Sequence, residues 1–519
     1  MLAHAITDAR VGGDFWRSLE AEGSFRTLIR APSRGEAEQA IERCGARPGG
    51  PILLSVPARR QRPVTEVRNG IFLLHGPVDP WALLDRVQCV IAPPQDDVRL
   101  LAAAAGCPVL DLATAEAVDP AGLRAELAGA LAGFGYSDPF SGHRIDALEW
   151  IELLGGWRRT IDANRTIAAT AGIAGWKRRT LRRFLWSDSM PRKLRRSLPA
   201  ELPAELPEGS GIAVWPSRAP QGILQRAAER KLRILRVEDG FIRSVGLGAH
   251  LHLPHSIVVD ARGIYYDPAS PSDLEHILSE AVFTERLVGR ASALIDRLVR
   301  GGVTKYAAGG AQIPAMPAGV RRILVPGQVE DDLSVRLGGA GVQGNLDLLR
   351  RVRAAEPGAW ILYRPHPDVT AGLRKGHVPA TEALRYADAI LAQGSMAGLL
   401  DQVDCVHVLT SLAGFEALLR GREVVTHGQP FYAGWGLTTD LAPDLGRRRR
   451  RLTVPELAAG ALILYPRYLD PVTRLQCPPE VVIRRHLDAP AARPRLLHRL
   501  RSLQGRMSIA GRRLAGATA

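Results

Sequence analysis

Acidic residues and patterned cysteines are what this 519-residue sequence has little of. It carries 53 Asp and Glu against 68 Lys and Arg, a formal net charge of +15. That imbalance bears on partners more than on fold, and favours anionic ones: nucleic acid, acidic lipid headgroups or a phosphorylated sugar donor. Its five cysteines, Cys44, Cys89, Cys107, Cys405 and Cys477, form no CxxC pair. An odd, scattered set excludes a disulfide framework or a cysteine zinc site and predicts a reducing compartment. No apolar run approaches the ~18 residues of a spanning helix. The first residues, Met1 to Gly13, lack the apolar segment of a secretory signal. HExxH, GxSxG and P-loop motifs are missing too, and the glycines at Gly246 and Gly248 do not make a dinucleotide fingerprint. The sequence therefore predicts a cytoplasmic or peripheral protein.

What is present, from Gly211 to Pro466, is an alternation of short apolar strands with amphipathic helices. Strand-sized runs are Gly211–Val214, Leu232–Val237, Ile257–Val259, Ile323–Val325, Trp360–Tyr363, Cys405–Leu409 and Glu423–Thr426; helical stretches include Pro271–Arg300, Gly344–Ala355 and Ser411–Leu419. Such alternation predicts an α/β fold of parallel sheets, with ligands beyond the carboxyl ends of the strands. A Gly/Ala/Pro-rich stretch, 301–319, divides it into two Rossmann-like lobes facing a cleft, a GT-B-like arrangement. The expected organisation is a partial, degenerate Rossmann-like region over 1–140, a basic helical segment over 141–200, an acceptor-side lobe over 201–318, a donor-binding lobe over 319–485 and a basic tail over 486–519.

Within the N-terminal region, Val87 to Val109 reads as a weakened copy of Val403 to Val425, and Asp138-Pro139 echoes Asp470-Pro471. Trp176 to Arg196 holds nine basic residues and one acidic one among Trp and Phe. This segment either docks on an anionic membrane surface or forms a solvated basic helix face. No RNP, zinc-finger or helix-turn-helix pattern accompanies it, so nucleic acid is not the expected partner.

Four clusters follow strands and carry chemistry. In RVEDGFIRSVGLG, the adjacent Glu238 and Asp239 are suited to splitting proton-donor and proton-acceptor roles. In ILVPGQVEDDLSV, Gln328 precedes Glu330, Asp331 and Asp332; a carboxylate here is either a helix N-cap or a nucleophile. WILYRPHPD places Arg364 beside His366, which is clamped between Pro365 and Pro367 and suited to a phosphate. Thr410 and Ser411 open a helix after a strand and suit an anion, or simply cap that helix. The aromatic-rich PFYAGWG, 430–436, suits stacking on a base or sugar. His250, His252 and His255, with Asp260, alternate like metal ligands, but nothing in the chemistry asks for a metal.

Those clusters, with VVDARGIYYD, VTKY and TSLAGFEAL, stand collinearly from about 236 to 440 and resemble the capsule polysaccharide biosynthesis proteins that act as retaining β-Kdo transferases. The resemblance implies CMP-Kdo as donor, no cofactor, a glycolipid acceptor at the inner-membrane surface, and other capsule assembly proteins as partners. It implies Glu238 as general acid/base with Asp239 beside it, Asp332 as nucleophile with Asp331 as the fallback, and His366, Pro367, Ser411 and Thr410 at the nucleotide. Lys305, Arg243, Arg364 and Gln328 are expected at the acidic sugar and phosphate. The sequence departs from the resemblance at Ala307, where the family often has Asn. Two rivals remain: a transferase for another CMP-linked acid, and a capsule assembly or export factor without turnover.

Overall fold

The computed structural model describes residues 1–19, 23–43, 52–56, 64–68, 71–188, 202, 206–220, 222–242, 254–302 and 316–488. The chain divides into two compact units, Met1–Ala168 with Leu185–Leu194, and Ala169–Phe184 with Arg195–Ala519.

The first unit is built on six strands: β1 (Thr27–Arg30), β2 (Ile52–Val56), β3 (Val64–Arg68), β4 (Ile71–His75), β5 (Cys89–Ala92) and β6 (Val109–Asp111). Their order in the sheet is β3-β4-β2-β1-β5-β6, parallel except for the edge pair β3–β4. Leu28, Leu53 and Val90 are fully buried on this sheet, and Trp81, buried too, donates its indole N–H to the Val11 carbonyl at 3.1 Å. The hairpin β7 (Tyr136–Ser137) and β8 (Arg144–Ile145) follows.

In the second unit, β9 (Ile167–Ala171), β10 (Gly211–Val214), β11 (Arg233–Asp239) and β12 (Ser256–Asp260) form the first lobe. Next come β13 (Arg322–Pro326), β14 (Trp360–Arg364), β15 (Ala389–Ile390), β16 (Cys405–Val408), β17 (Glu423–Thr426) and β18 (Thr439–Asp440). They make the second lobe, a wholly parallel sheet of order β15-β14-β13-β16-β17-β18. The chain then returns to the first lobe as β19 (Arg467–Leu469) and β20 (Gln476–Cys477), completing the order β20-β19-β12-β11-β10-β9.

Three features depart from the sequence reading. The first lobe is mixed, not parallel: β12 runs antiparallel to β11, and β19 antiparallel to β12. Its sheet also takes strands from before residue 201 and after residue 464, so it is not one continuous segment. The helical stretch Pro271–Arg300 is two helices, Asp273–Glu280 and Glu285–Arg300. Ser272 caps one and Thr284 the other, each accepting a backbone N–H three residues on. A second N-cap inside an amphipathic run ends the first helix whatever the apolar periodicity says.

The two Asp-Pro turns are built alike. Asp138 accepts the Phe140 N–H and the Ser141 hydroxyl, and its own N–H bonds the His143 carbonyl. Asp470 accepts the Val472 N–H and the Thr473 hydroxyl, and its N–H bonds the Leu475 carbonyl. The fifth residue of each turn has positive φ, +73° at Gly142 and +64° at Arg474. β5, helix Val98–Ala104 and β6 likewise repeat the parallel unit of β16, helix Leu412–Leu418 and β17.

One core cluster joins both lobes of the second unit, from Val258, Leu274 and Leu278 to Leu324, Leu362 and Val406. PFYAGWG belongs to it. Tyr432 and Trp435 are fully buried, and Phe431 stacks on Phe241 with ring centroids 4.5 Å apart. Arg448, itself buried, donates to the carbonyls of Pro430 (2.7 Å) and Ala433 (2.9 Å) and pairs with Glu275 at 3.0 Å. These aromatics therefore pack lobe against lobe and are not an open stacking platform, because burying so much ring area in the core outweighs leaving it in a loop.

Candidate active site

Register places the second-lobe motifs on one edge. Pro326 pairs with Arg364 across β13 and β14, and Leu324 with Val406 across β13 and β16. The loops after β13, β14 and β16 thus leave side by side, at the carboxyl edge where open α/β sheets bind ligands. Gln328 and Thr410 join two of them: Gln328 Oε1 accepts the Thr410 N–H at 2.8 Å, and Nε2 donates to Thr410 Oγ1 at 3.0 Å. The Gln328 main chain is held in turn by Asn345 at 2.8 Å in both directions. Gln328 thus braces the site loops instead of presenting a free amide.

The acidic trio after β13 divides its work. Glu330 accepts the Asn345 N–H at the start of helix Asn345–Ala355. Asp331, exposed, pairs with Arg374 at 3.2 Å. Asp332 caps helix Leu333–Gly338, its Oδ1 accepting the N–H (3.0 Å) and hydroxyl (2.8 Å) of Ser334. Among the described residues both of these bonds fall on Oδ1 of Asp332, which is exposed.

After β14, His366 Nδ1 accepts the Asp368 N–H at 3.1 Å, which assigns the ring proton to Nε2. Pro367 opens the turn of helix that follows. Arg364 is buried, and its Nη1 has no hydrogen-bond partner among the described residues. Burial holds its guanidinium below its usual value, with the charge of Glu416 opposing that shift. A buried N–H cation without a partner is an anion site in waiting. Ser411 caps helix Leu412–Leu418 through the Ala413 N–H at 3.2 Å. Glu416, buried on that helix and felt electrostatically by Arg364, was not singled out from sequence; its place in GFEAL reads as an ordinary helix glutamate.

On the first lobe, Glu238 and Asp239 lie inside β11, paired with Val258 and Ile257 of β12. Consecutive strand residues face opposite sides of a sheet, so the two carboxylates are not a like-charged couple at a turn as the sequence reading had them. Glu238 Oε1 accepts the Asp239 N–H at 3.0 Å. Gly240 follows because a Cβ there would collide with Ser256, whose hydroxyl bonds the Ile242 carbonyl.

Tyr265 and Tyr266 bring the lobes together. Both phenols are held above their usual range by burial first, and both feel the negative charges of Glu238 and Asp332. Tyr266 is buried, and its hydroxyl has no partner among the described residues. Its carbonyl lies beside Gly338 and Thr410, packing the β12 loop on the second lobe. Glu238 from one lobe and Asp332 from the other thus both bear electrostatically on this tyrosine pair.

Arg243 and Lys305 lie outside the described residues, as do His250 and His252. Asp260, grouped with those histidines in the sequence, is fully buried and accepts the N–H groups of Arg262, Gly263 and Asp273 and the Tyr465 hydroxyl. It is a scaffold for the 261–273 loop and has no lone pair left for a metal. The corresponding edge of the N-terminal sheet is closed on itself: Arg30, ending β1, binds Asp96 at 2.9 Å and Ser55 at 2.8 Å.

The family model for capsule polysaccharide biosynthesis proteins matches residues 210–293 and 289–468. The capsule polysaccharide modification protein LipA of Neisseria meningitidis is 41% identical over 338 residues, 65% of this chain and 48% of that protein. The lipopolysaccharide-processing protein LpsZ of Rhizobium meliloti is 44% identical over 247 residues, 47% of this chain and 56% of that protein. The chain thus spans about half the length of these relatives. Among solved structures, Thermosulfurimonas dismutans KpsC named as a beta Kdo 2,4 transferase matches at 33% identity and TM-score 0.54, covering 62% of this chain and 98% of that one. The KpsC structure named as a beta Kdo 2,7 transferase matches at 35% and 0.50, covering 62% and 99%. The parallel second-lobe sheet and strands β10, β11 and β12 of the first lobe fall within the span that the family model matches. This chain belongs to the capsule polysaccharide biosynthesis protein family.

Proposed function

We propose that the second unit is a retaining glycosyltransferase that moves a β-Kdo residue from CMP-Kdo to a lipid-linked acceptor in capsule assembly. The observation that carries this reading is that Tyr266, whose hydroxyl has no partner among the described residues, feels the charges of Glu238 from one lobe and Asp332 from the other. The identity with two structures named as β-Kdo transferases supports the choice of sugar.

Retention follows from two displacements. The unengaged oxygen of Asp332 attacks the anomeric carbon of Kdo, and CMP departs with the bonding pair. An acceptor hydroxyl then displaces Asp332 from the same carbon while Glu238 takes its proton. Arg364 and the Nε2–H of His366 supply donors for the phosphate of CMP, with Ser411 beside them. Asp331, tied to Arg374, is the poorer nucleophile. No metal is needed, because CMP leaves as a stable anion.

The basic helix Gly175–Phe184 exposes Arg178, Arg179 and Arg182. We assign this face to an anionic inner-membrane surface, where a lipid acceptor resides, each cation contributing about 1 kcal/mol. Among the described residues no helix is long and apolar enough to cross a membrane. Residues 191–197, the rest of the basic segment, lie outside the described residues.

Calorimetric titration of CMP-Kdo, CMP-sialic acid and CMP into the purified protein tests the donor assignment. Binding of CMP-Kdo at least tenfold tighter than CMP-sialic acid supports it. Equal or reversed preference assigns another acid, and no binding of any of the three favours an assembly factor.

A further inference from the structure

The basic segment conceals a lysine that does not belong to its solvent face. Lys177, on helix Gly175–Phe184, is buried, and its Nζ lies 2.9 Å from Oδ1 of Asp239. The same ammonium sits 3.6 Å from the centroid of the Trp215 ring and 5.3 Å from that of Trp176. Lys177, Trp215 and Asp239 come from the segments that follow or end β9, β10 and β11, neighbouring strands of the first lobe. Gly172 makes the approach feasible: its φ is +69°, and a Cβ there would lie 2.7 Å from the Arg218 carbonyl oxygen and 2.8 Å from that of Trp215.

The residue type is informative. Only five of the 68 basic residues are lysine: Lys177, Lys193, Lys231, Lys305 and Lys375. In a chain that otherwise uses Arg almost everywhere, the buried position opposite Asp239 holds the compact ammonium. A planar guanidinium is bulkier and is suited to two-pronged recognition, whereas an ammonium fits between one carboxylate oxygen and an indole face.

We propose that Lys177 is a positioning residue of the transfer site: its ammonium fixes the Asp239 carboxylate at the end of β11 and leaves Glu238 as the member of the pair that exchanges a proton with the acceptor. This inference rests on the reading of Glu238 as general acid/base given above. Glu238 Oε1 accepts the Asp239 backbone N–H at 3.0 Å, so fixing Asp239 also fixes the Glu238 carboxylate that takes the acceptor proton. Removing the ammonium lets Asp239 protonate at a higher pH and releases that alignment.

The test has two arms. In protein labelled with 15N-lysine, five side chains give signals, and that of Lys177 is identified by its loss in Lys177→Arg. An ammonium signal protected from solvent exchange, and lost in Asp239→Asn, is the expected result; a freely exchanging Lys177 overturns the ion pair. The second arm measures transfer from CMP-Kdo to a Kdo-primed lipid acceptor across pH. Lys177→Met is expected to lower kcat at least tenfold with donor KM changed less than threefold, and to move the acidic limb upward by about one pH unit. Lys177→Arg, which keeps the charge on a bulkier head, is expected to restore the limb but not the full kcat. A wild-type limb in Lys177→Met overturns the proposal even if kcat falls, since a merely structural role lowers amplitude without moving the profile. Wild-type protein that does not turn over CMP-Kdo sinks the transferase reading, and the ammonium signal then decides the Lys177–Asp239 link alone.

Discussion

Gln328 holds Thr410 by both ends of its amide, accepting the Thr410 N–H at 2.8 Å and donating to its hydroxyl at 3.0 Å. This bond pair spans the gap between the loops after β13 and β16, so the positions of Asp332 and Ser411 depend on it. Gln328→Ala leaves a partly buried N–H without a partner, and a loss of about 1–3 kcal/mol is expected in denaturant titration. Donor KM is expected to rise with it. Unchanged stability would show that the two loops hold themselves.

Arg364 is the cleanest test of the phosphate site. Its buried guanidinium has an Nη1 without a partner among the described residues, so Arg364→Lys keeps the charge but loses the fork. A loss of at least tenfold in CMP affinity is expected, measured by calorimetry. Retention of wild-type affinity would place the phosphate elsewhere.

Trp435 discriminates between core and platform. It is fully buried, with its indole N–H on the Phe431 carbonyl at 2.9 Å. Trp435→Ala is expected to cost about 3–5 kcal/mol of stability. A variant as stable as wild type but weak in donor binding would return the ring to the ligand.

Acid stability has a built-in limit in the second lobe. His407 and His427 are buried, Nδ1 to Nε2 at 3.2 Å. Burial first, then neighbouring positive charge (His427 and Arg321 for one, Arg351 for the other), lowers them to about 3 and about 4. Glu356 lies 3.7 Å from His407, and Asp347 opposes the shift of His427. Unfolded imidazoles bind protons below about pH 6.5, while the folded pair does not until far lower. The stabilisation is therefore complete above pH 6.5 and falls as pH drops toward 4. Melting temperature followed from pH 7.5 to 4.5 is expected to fall, and less steeply in His407→Gln. A flat wild-type profile would contradict the buried neutral pair.

The sequence was most legible where apolar runs are bounded by turn residues. Gly211–Val214 and Glu423–Thr426 are strands over those same residues. It was least legible where long-range contacts decide. The returning β19 pairs with β12 across more than 200 residues of sequence, which no local period encodes. PFYAGWG read as a binding loop because glycine and aromatic residues suit either a ligand or a tight core turn, and burial alone separates them. Lys177 was submerged in a basic run, where one inward-facing lysine looks like its solvated neighbours. Asp332 caps a helix, as one of its two readings had it; its reading as nucleophile belongs to the proposed chemistry.

Transfer of Kdo through Asp332 and Glu238 is open to one direct measurement. Purified protein is incubated with CMP-Kdo and a synthetic Kdo-primed lipid, and the lipid product is weighed by mass spectrometry and its anomeric configuration read by NMR. One added Kdo residue in β linkage, lost in both Asp332→Ala and Glu238→Gln with CMP binding retained, is the predicted result. A product formed undiminished by Asp332→Ala, or one in α linkage, would contradict it.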